Sequence, residues 1–412
     1  AVVGDVLANL LKFCGFSVDR EYYINDAGAQ MEMLGRSTYA RYLESLGEQA
    51  EFPQDGYQGN YLKDLAEDLK AEHGKDLLKV SESKAVAICQ QKACEAILQG
   101  IKADLEAFGV QFDHWFSEQS LFDSTAVEQA VQVLKASDHL YEKEAAWWLR
   151  SSAYDDDEDR VVIRADGRPT YLASDIAYHW NKFERHYDEI INVWGSDHHG
   201  YVARVKAAVQ ALGCPAEALR ILLVQFVNLV RGKEKISMST RAGAFVRLSE
   251  VVEEVGLDAA RFFFVLRRCD AHFDFDLELA KKESSENPVY YAQYAHARIW
   301  SIFAKEGERG EPRLPRDQVD FSCLRLPEEL RIIKLLAEFP ELIEEAATRL
   351  EPHRLTFYVL ELVGEFHRFY NAHRVLTDDP QLTSARLYMI EALRCVVSRV
   401  LQLLGVCAPR SM

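Results

Sequence analysis

Apolar positions change period several times along the chain. From Val3 through Val6, Leu7, Leu10 and Leu11 to Cys14 they recur on one helix face, and Gly15 stands where such a helix closes. FSVDREYYIND then reads as a strand ending at Asn25-Asp26, with Gly28 opening the next segment. Over residues 40–150, roughly, stretches such as NYLKDLAEDLKAE and KAVAICQQKACEAILQGIKADLEAFG predict amphipathic helices rich in carboxylates. AAWWLRSSAY and RVVIRADGRPTYL predict paired strands around the acidic loop DDDED, expected to be a solvated turn.

The period then alternates. YLASDIAYHWNKFERH predicts a helix, and DEIINVWGSDHHG a buried strand running into a glycine-containing turn. YVARVKAAVQALG predicts a helix closed by Gly213, and ILLVQFVNLV a second buried strand. Strand–helix–strand at this spacing implies an α/β fold with a parallel, doubly wound sheet. VVEEVGLDAARFFFVLRR adds helices. From about Asn287 onward every segment is helical, through PVYYAQYAHARIWSIFAKEG to SARLYMIEALRCVVSRVLQLLG, which predicts a bundle of four or five helices.

A length of 412 residues with 48% apolar content fits two or three globular domains. The net charge of −17 argues against non-specific nucleic-acid binding. That charge is uneven. From Asn287 to Met412 there are 16 basic and 17 acidic residues, and 14 of the bases are arginine. A solvated helical surface and a phosphate-contacting face both fit that composition. No apolar run approaches the roughly 18–20 residues of a membrane span. The start, AVVGDVLANLLKFCGF, has no basic region or cleavage site of a signal peptide. It begins with Ala inside a helical pattern, so an upstream segment is expected. Eight cysteines, with no CxxC spacing, predict reduced thiols, a cytoplasmic protein and no structural metal.

In an open parallel sheet, ligands sit at the carboxyl ends of the strands. Three polar segments fall there: Asn25-Asp26, then Gly195-Ser196-Asp197-His198-His199, then Ser237-Met238-Ser239-Thr240-Arg241. Gly195 permits close backbone approach, and Asp197 can accept from ribose hydroxyls. The adjacent histidines have no evident third metal ligand. A plain strand-to-helix turn fits the same residues. In YLASDIAYH, Tyr171, Asp175 and Tyr178 fall at i, i+4 and i+7 on one helix face. A carboxylate between two rings suits a cationic group; a helix face with one solvated Asp is the other reading. The SMSTR segment lacks the glycine spacing of a nucleotide-binding turn.

Taken in order, YYINDAG, YLASDIAYH, VWGSDHHGY, SMSTRAG and NPVYYAQYAHARI resemble the class I arginyl-tRNA synthetases over essentially the whole chain. SMSTR resembles that family's KMSK signature loop, and the last helices resemble its DALR-type anticodon-binding domain. The resemblance implies a Rossmann-like catalytic domain over 1–286 with a helical insertion at about 40–165, followed by an α-helical anticodon domain over 287–412.

What the resemblance further implies is an arginine–tRNA ligase that uses ATP with Mg2+ as co-substrate and tRNA-Arg as acceptor, with a monomer as the usual state. Members typically need tRNA bound before they activate arginine. Met238, Ser239, Thr240 and Arg241 would form the catalytic loop. Ser237 and Thr240 stand where the signature has lysines, and Lys233 or Lys235 would substitute for the first. Tyr171 and Asp175 would bind the guanidinium, with Asn25, Asp26 and Gln30 near the amino-acid pocket. Gly195, Asp197 and His198 would flank the ATP ribose. Tyr291, Tyr294, Arg298 and Met412 would face the anticodon. The HIGH-type signature is not found, so the chain alone is expected to be inactive. A cysteinyl-type enzyme sharing the anticodon module and a tRNA-binding fragment without catalysis are the alternatives.

Overall fold

The structure, a computed structural model, describes residues 1–232, 234–236, 246–310 and 313–412. Met238, Ser239, Thr240 and Arg241, with Ser237 and Lys233, lie outside the described residues.

The first helix, Val2–Phe13, buries the stripe predicted for it, with Val6 and Leu10 fully covered. Its partners come from far along the chain. It packs on Pro327–Thr348 and Pro380–Leu404, so the start and end of the sequence share one core.

Three sets of parallel strands make the Rossmann-like part. Glu21–Ile24 pairs with His114–Ser117, and Ile190–Gly195 pairs with Leu219–Val224. Val227–Arg231 pairs with Phe273–Asp276 and carries a short antiparallel strand, Glu234–Lys235. The helix Tyr171–Glu184 precedes the second set and Val202–Ala211 joins its two strands, as a doubly wound layout requires. A cavity of about 450 Å3 lies between the first two sets, lined by Tyr22 and Tyr23 on one side and Ile191 and Val193 on the other.

ILLVQFVNLV is not the single strand its apolar run suggests. It breaks at Gln225-Phe226 into two strands that serve different sheets. Gln225 causes the break: its N–H donates to Cys269 O at 2.7 Å, and its side-chain oxygen accepts from Ser196 Oγ at 2.6 Å and from the Phe226 N–H at 3.0 Å. Phe273–Asp276 was not legible in advance, because FDFD alternates over only four residues.

Helices Ala29–Ser45, Tyr61–His73 and Glu82–Ala107 pack together with small cores of their own. The first and third cross closely at Gly35, where a β-carbon would stand 2.7 Å from Gln90 Cβ. The predicted strands form an antiparallel sheet, Leu140–Lys143, Ala146–Leu149 and Arg160–Ile163.

The acidic loop before Arg160 is a solvated turn only in part: Asp155, Asp157 and Glu158 are exposed, but the loop also turns carboxylates inward. Asp156 is buried and paired with Arg160 at 3.0 Å, and Arg160 also pairs with Asp157 and Glu158. One guanidinium gathers three carboxylates, while Asp159 accepts from Tyr141 and Ser152 at 2.9 and 2.6 Å.

Four long helices, Pro288–Arg309, Pro327–Thr348, His353–Ala372 and Pro380–Leu404, make the C-terminal bundle. Among the described residues no helix is long and apolar enough to cross a membrane. Arg261, 1% exposed, ties the two halves together. It donates to Leu404 O at 2.9 Å, to Phe108 O at 2.9 Å and to Gly109 O at 3.1 Å, and it pairs with Asp5 at 2.5 Å.

Candidate functional site

The carboxyl end of Glu21–Ile24 and the start of Tyr171–Glu184 converge on a group of acids. Asp175 lies one turn into its helix, whose first turn is anchored by Thr170 Oγ1 donating to Val161 O at 2.9 Å. Asp175 is half-buried. Burial pushes its carboxyl up to about 6; a hydrogen bond from the Tyr201 hydroxyl and the charges of Lys182 and His198 oppose that. Glu118 follows the neighbouring strand and is 5% exposed, its N–H bonded to Ile24 O at 3.0 Å. Burial raises the Glu118 carboxyl; hydrogen bonds from Ser174 and Tyr23 oppose the rise, and the negative charges of Asp175 and Asp26 add to it. No cationic side chain among the described residues hydrogen-bonds to Asp175 or Glu118. Asp175 and Glu118 are therefore near enough to repel each other and have no hydrogen-bonded counter-ion among the described residues, an arrangement that favours a cationic ligand.

Asp26 closes the loop beneath. It accepts from Ser117 Oγ at 2.6 Å and from the Gln119 N–H at 2.9 Å. Asn25 and Gln30 are exposed near it and do not join the buried acids. The expected pair of rings around Asp175 needs correction. Tyr171 is 58% exposed at the helix start, whereas Tyr178 is 8% exposed and turned inward. The Tyr178 hydroxyl donates to Glu21 at 2.7 Å, and its ring packs on Tyr23 and Phe116. Tyr178 belongs to the core beneath the site, and Tyr201, from the next element, supplies the hydroxyl at Asp175. Glu118 and Tyr201 were missed in the sequence because nothing in it relates 118, 175 and 201 until the sheet is assembled.

Gly195 ends its strand, and the turn Ser196–Tyr201 starts there. A β-carbon at Gly195 would lie 2.4 Å from Asp197 Oδ1, so the backbone needs glycine for this Asp197 rotamer. Asp197 and His198 are both exposed, 3.7 Å apart, with His198 against Trp194. Exposed carboxylate, imidazole and bare backbone at a strand end leave room for a hydroxyl-rich ligand. Among the described residues no group of three or more His, Cys, Asp or Glu is placed to hold a metal ion.

On the bundle, three of the four expected anticodon residues come together. Tyr294 stacks on Tyr290 and His367, Tyr291 lies 4.5 Å from His367, and Arg298 lies 4.7 Å over Tyr294 and 4.8 Å over Tyr370. Met412 follows a different surface. The C-terminal tail is held by Gln293 donating to Cys407 O at 2.9 Å, by His296 donating to Pro409 O at 2.7 Å and by Arg410 over Trp300. That stripe lies roughly 140–200° round the helix from Tyr291, at about 100° per residue. Met412 itself is 53% exposed.

Family profiles match both halves. One described as "tRNA synthetases class I (R), catalytic domain" matches residues 1–268, and one described as "DALR anticodon binding domain" matches 292–412. The chain belongs to the class I arginyl-tRNA synthetases. Arginine–tRNA ligase from Geobacter sp. (strain M21) is 53% identical over 414 residues, covering 100% of this chain and 74% of the relative. A Campylobacter jejuni structure assigned to the arginyl-tRNA synthetases is 36% identical with a TM-score of 0.89, covering 100% of this chain and 89% of that one. Thermus thermophilus arginyl-tRNA synthetase is 25% identical with a TM-score of 0.78, covering 100% and 79%. The relatives support arginine as the amino acid and lend nothing to the cysteinyl alternative. Asp175 and Glu118 fall within the part matched by the catalytic-domain description, and Tyr294 and Arg298 within the part matched by the anticodon-binding description.

Proposed function

We propose that this arginine–tRNA ligase binds the arginine guanidinium between Asp175 and Glu118. The observation that carries the reading is the convergence of these carboxylates with no bonded counter-ion. A guanidinium offers five donors in a planar fork and can match two fixed, separated acceptors at once; an ammonium has three donors on a single nitrogen and lacks that fork. Tyr171 stands at the rim, and Asn25, Asp26 and Gln30 line the approach. Gly195, Asp197 and His198 hold the ribose of MgATP. Met238, Ser239, Thr240 and Arg241 close over its phosphates.

The arginine carboxylate then attacks the α-phosphate of MgATP, forming arginyl-adenylate and releasing pyrophosphate. The ribose 2′-hydroxyl of the terminal adenosine of tRNA-Arg next attacks the arginyl carbonyl, and AMP leaves. Both steps need in-line positioning and stabilisation of phosphate charge rather than a protein nucleophile. Tyr291, Tyr294 and Arg298 offer rings and a guanidinium to unstacked anticodon bases, and Met412 adds an exposed apolar side chain from the tail on the neighbouring surface. Residues 1–286, with the insertion at about 40–165, form the catalytic domain and 287–412 the anticodon domain. The enzyme works as a cytoplasmic monomer. The 412 residues by themselves, having no HIGH-type segment, do not form the adenylate.

Calorimetry tests the pocket. Arginine binds and lysine does not, and Asp175→Asn weakens arginine binding about a hundredfold or more while sparing ATP. Equal affinity for lysine, or an unaffected Asp175→Asn, contradicts the assignment. ATP–pyrophosphate exchange by the 412 residues alone contradicts the claim of inactivity.

A further inference from the structure

Beneath Asp175, three buried polar side chains form one directed chain. Lys182 Nζ donates to Asn192 Oδ1 at 2.8 Å. Asn192 Nδ2 meets His179 Nε2 at 2.7 Å, and His179 Nδ1 meets the backbone oxygen of Asp175 at 2.7 Å. Lysine only donates, so the Asn192 oxygen must face it and the amide NH2 must face His179. His179 therefore accepts at Nε2 and donates from Nδ1 to the Asp175 carbonyl. One neutral tautomer satisfies both ring nitrogens of His179, and burial, with the neighbouring Lys182 charge, holds the imidazole down to about 3. His179, Asn192 and Lys182 are 1%, 6% and 8% exposed.

The charges around Lys182 are unevenly matched. Burial holds its ammonium down to about 8; Glu21 and Asp175 are the anions that oppose this, and Arg185 is the neighbouring cation. Glu21 is already occupied, by Arg185 at 2.6 and 3.0 Å and by the Tyr178 hydroxyl at 2.7 Å. Asp175 has Tyr201 as its side-chain donor and His198 as the other cation in reach. Across the pocket it faces Glu118 and the Tyr23 phenol. Lys182 stands two turns along the same helix, with its Nζ 2.8 Å from Asn192 Oδ1 and 4.1 Å over the ring of Tyr178, which lies between Asp175 and Lys182 in sequence.

We infer that Lys182 is a positioning residue of the amino-acid pocket: through Asn192 and His179 it fixes the helix turn that presents Asp175, and its ammonium, buried on the same helix, is the resident cation that favours the Asp175 carboxylate. The meaning for arginine rests on the pocket assignment above; the electrostatic part is measurable without ligand.

The experiment is a carbon-13 NMR titration of the Asp175 carboxyl in the whole chain, wild type against Lys182→Gln, beside arginine calorimetry at about pH 6.5 and about pH 8.5. Lys182→Gln keeps a donor toward Asn192 and removes the charge. The Asp175 midpoint should rise by about a unit or more, the size of a lost opposite charge within reach. Affinity at the lower pH relative to the higher should fall about threefold or more, because the carboxyl becomes protonated there. Lys182→Arg should keep the wild-type midpoint. An unchanged midpoint in Lys182→Gln, or an equal loss of affinity at both pH values, overturns the inference, since lost packing alone would act equally at both. If Lys182→Gln does not fold, the wild type decides: Lys182 Cε must report a protonated amine throughout the range in which Asp175 titrates, and a neutral Lys182 there overturns the inference. A shifted midpoint in a chain that binds no arginine would remove the pocket assignment and leave the electrostatic role standing.

Discussion

Asp175 shows how much of a site one residue can signal, and where the signal stops. Its helix, its place on one face with Tyr171 and Tyr178, and its suitability for a cation follow from YLASDIAYH, beside the plainer reading of a solvated Asp. Its environment does not. Glu118 and Tyr201 meet it only because strands from distant parts of the chain are brought side by side, whereas Lys182 comes from its own helix. The raised carboxyl has a direct consequence. With a free carboxyl pushed up to about 6, arginine must bind the ionised form and displace a proton at lower pH. Affinity should therefore increase as pH rises through about 6 and level off above it; an affinity flat across that range in calorimetry contradicts the role. The sign for stability is opposite: the folded state holds this proton more tightly than the unfolded chain, so Asp175 lowers stability as pH rises from about 4 to about 6. Tyr201→Phe removes the hydroxyl bonded to Asp175 and should move the binding midpoint to higher pH, which the same titration reads.

At the scale of elements, periodicity located the long helices and the strand Ile190–Gly195 well, because each buries one continuous face. It failed where a polar side chain redirects the backbone. Gln225 splits an apolar run that hydrophobicity alone reads as continuous, and Arg160 folds an acidic loop that composition alone reads as solvated. The stripe of Tyr291, Tyr294 and Arg298 was legible because its spacing is helical, whereas the path of the tail to Met412 depends on Gln293 and His296 capturing backbone carbonyls. Asn287 is an element boundary with a measurable load. It caps Pro288–Arg309 by accepting from the Val289 N–H at 3.2 Å, and its amide donates to Ala280 O and Lys282 O, both at 2.9 Å. Asn287→Ala loses the cap and strands buried carbonyls, and should cost about 2 kcal/mol in denaturant unfolding. A change below about 0.5 kcal/mol would show that the cap does not hold the junction.

For the whole molecule, the division into an α/β half and a helical half was visible in the pattern, but their attachment was not. The first helix is buried by the last one, and Arg261 bonds to backbone from the insertion, from the C-terminal helix and to Asp5 on the first helix. No local pattern announces a buried arginine with partners this far apart in sequence. Arg261→Met should destabilise the chain by about 3–5 kcal/mol, chiefly through loss of the buried pairing with Asp5, and a midpoint of denaturation near wild type would show that Arg20 alone compensates. The central claim is that both halves belong to one enzyme that reads arginine tRNAs. Its most direct test is to pass bulk tRNA over the immobilised chain at moderate salt and sequence what is retained. The account predicts enrichment of arginine isoacceptors, reduced by Tyr294→Ala. Retention by a folded chain with no preference for arginine isoacceptors would contradict it.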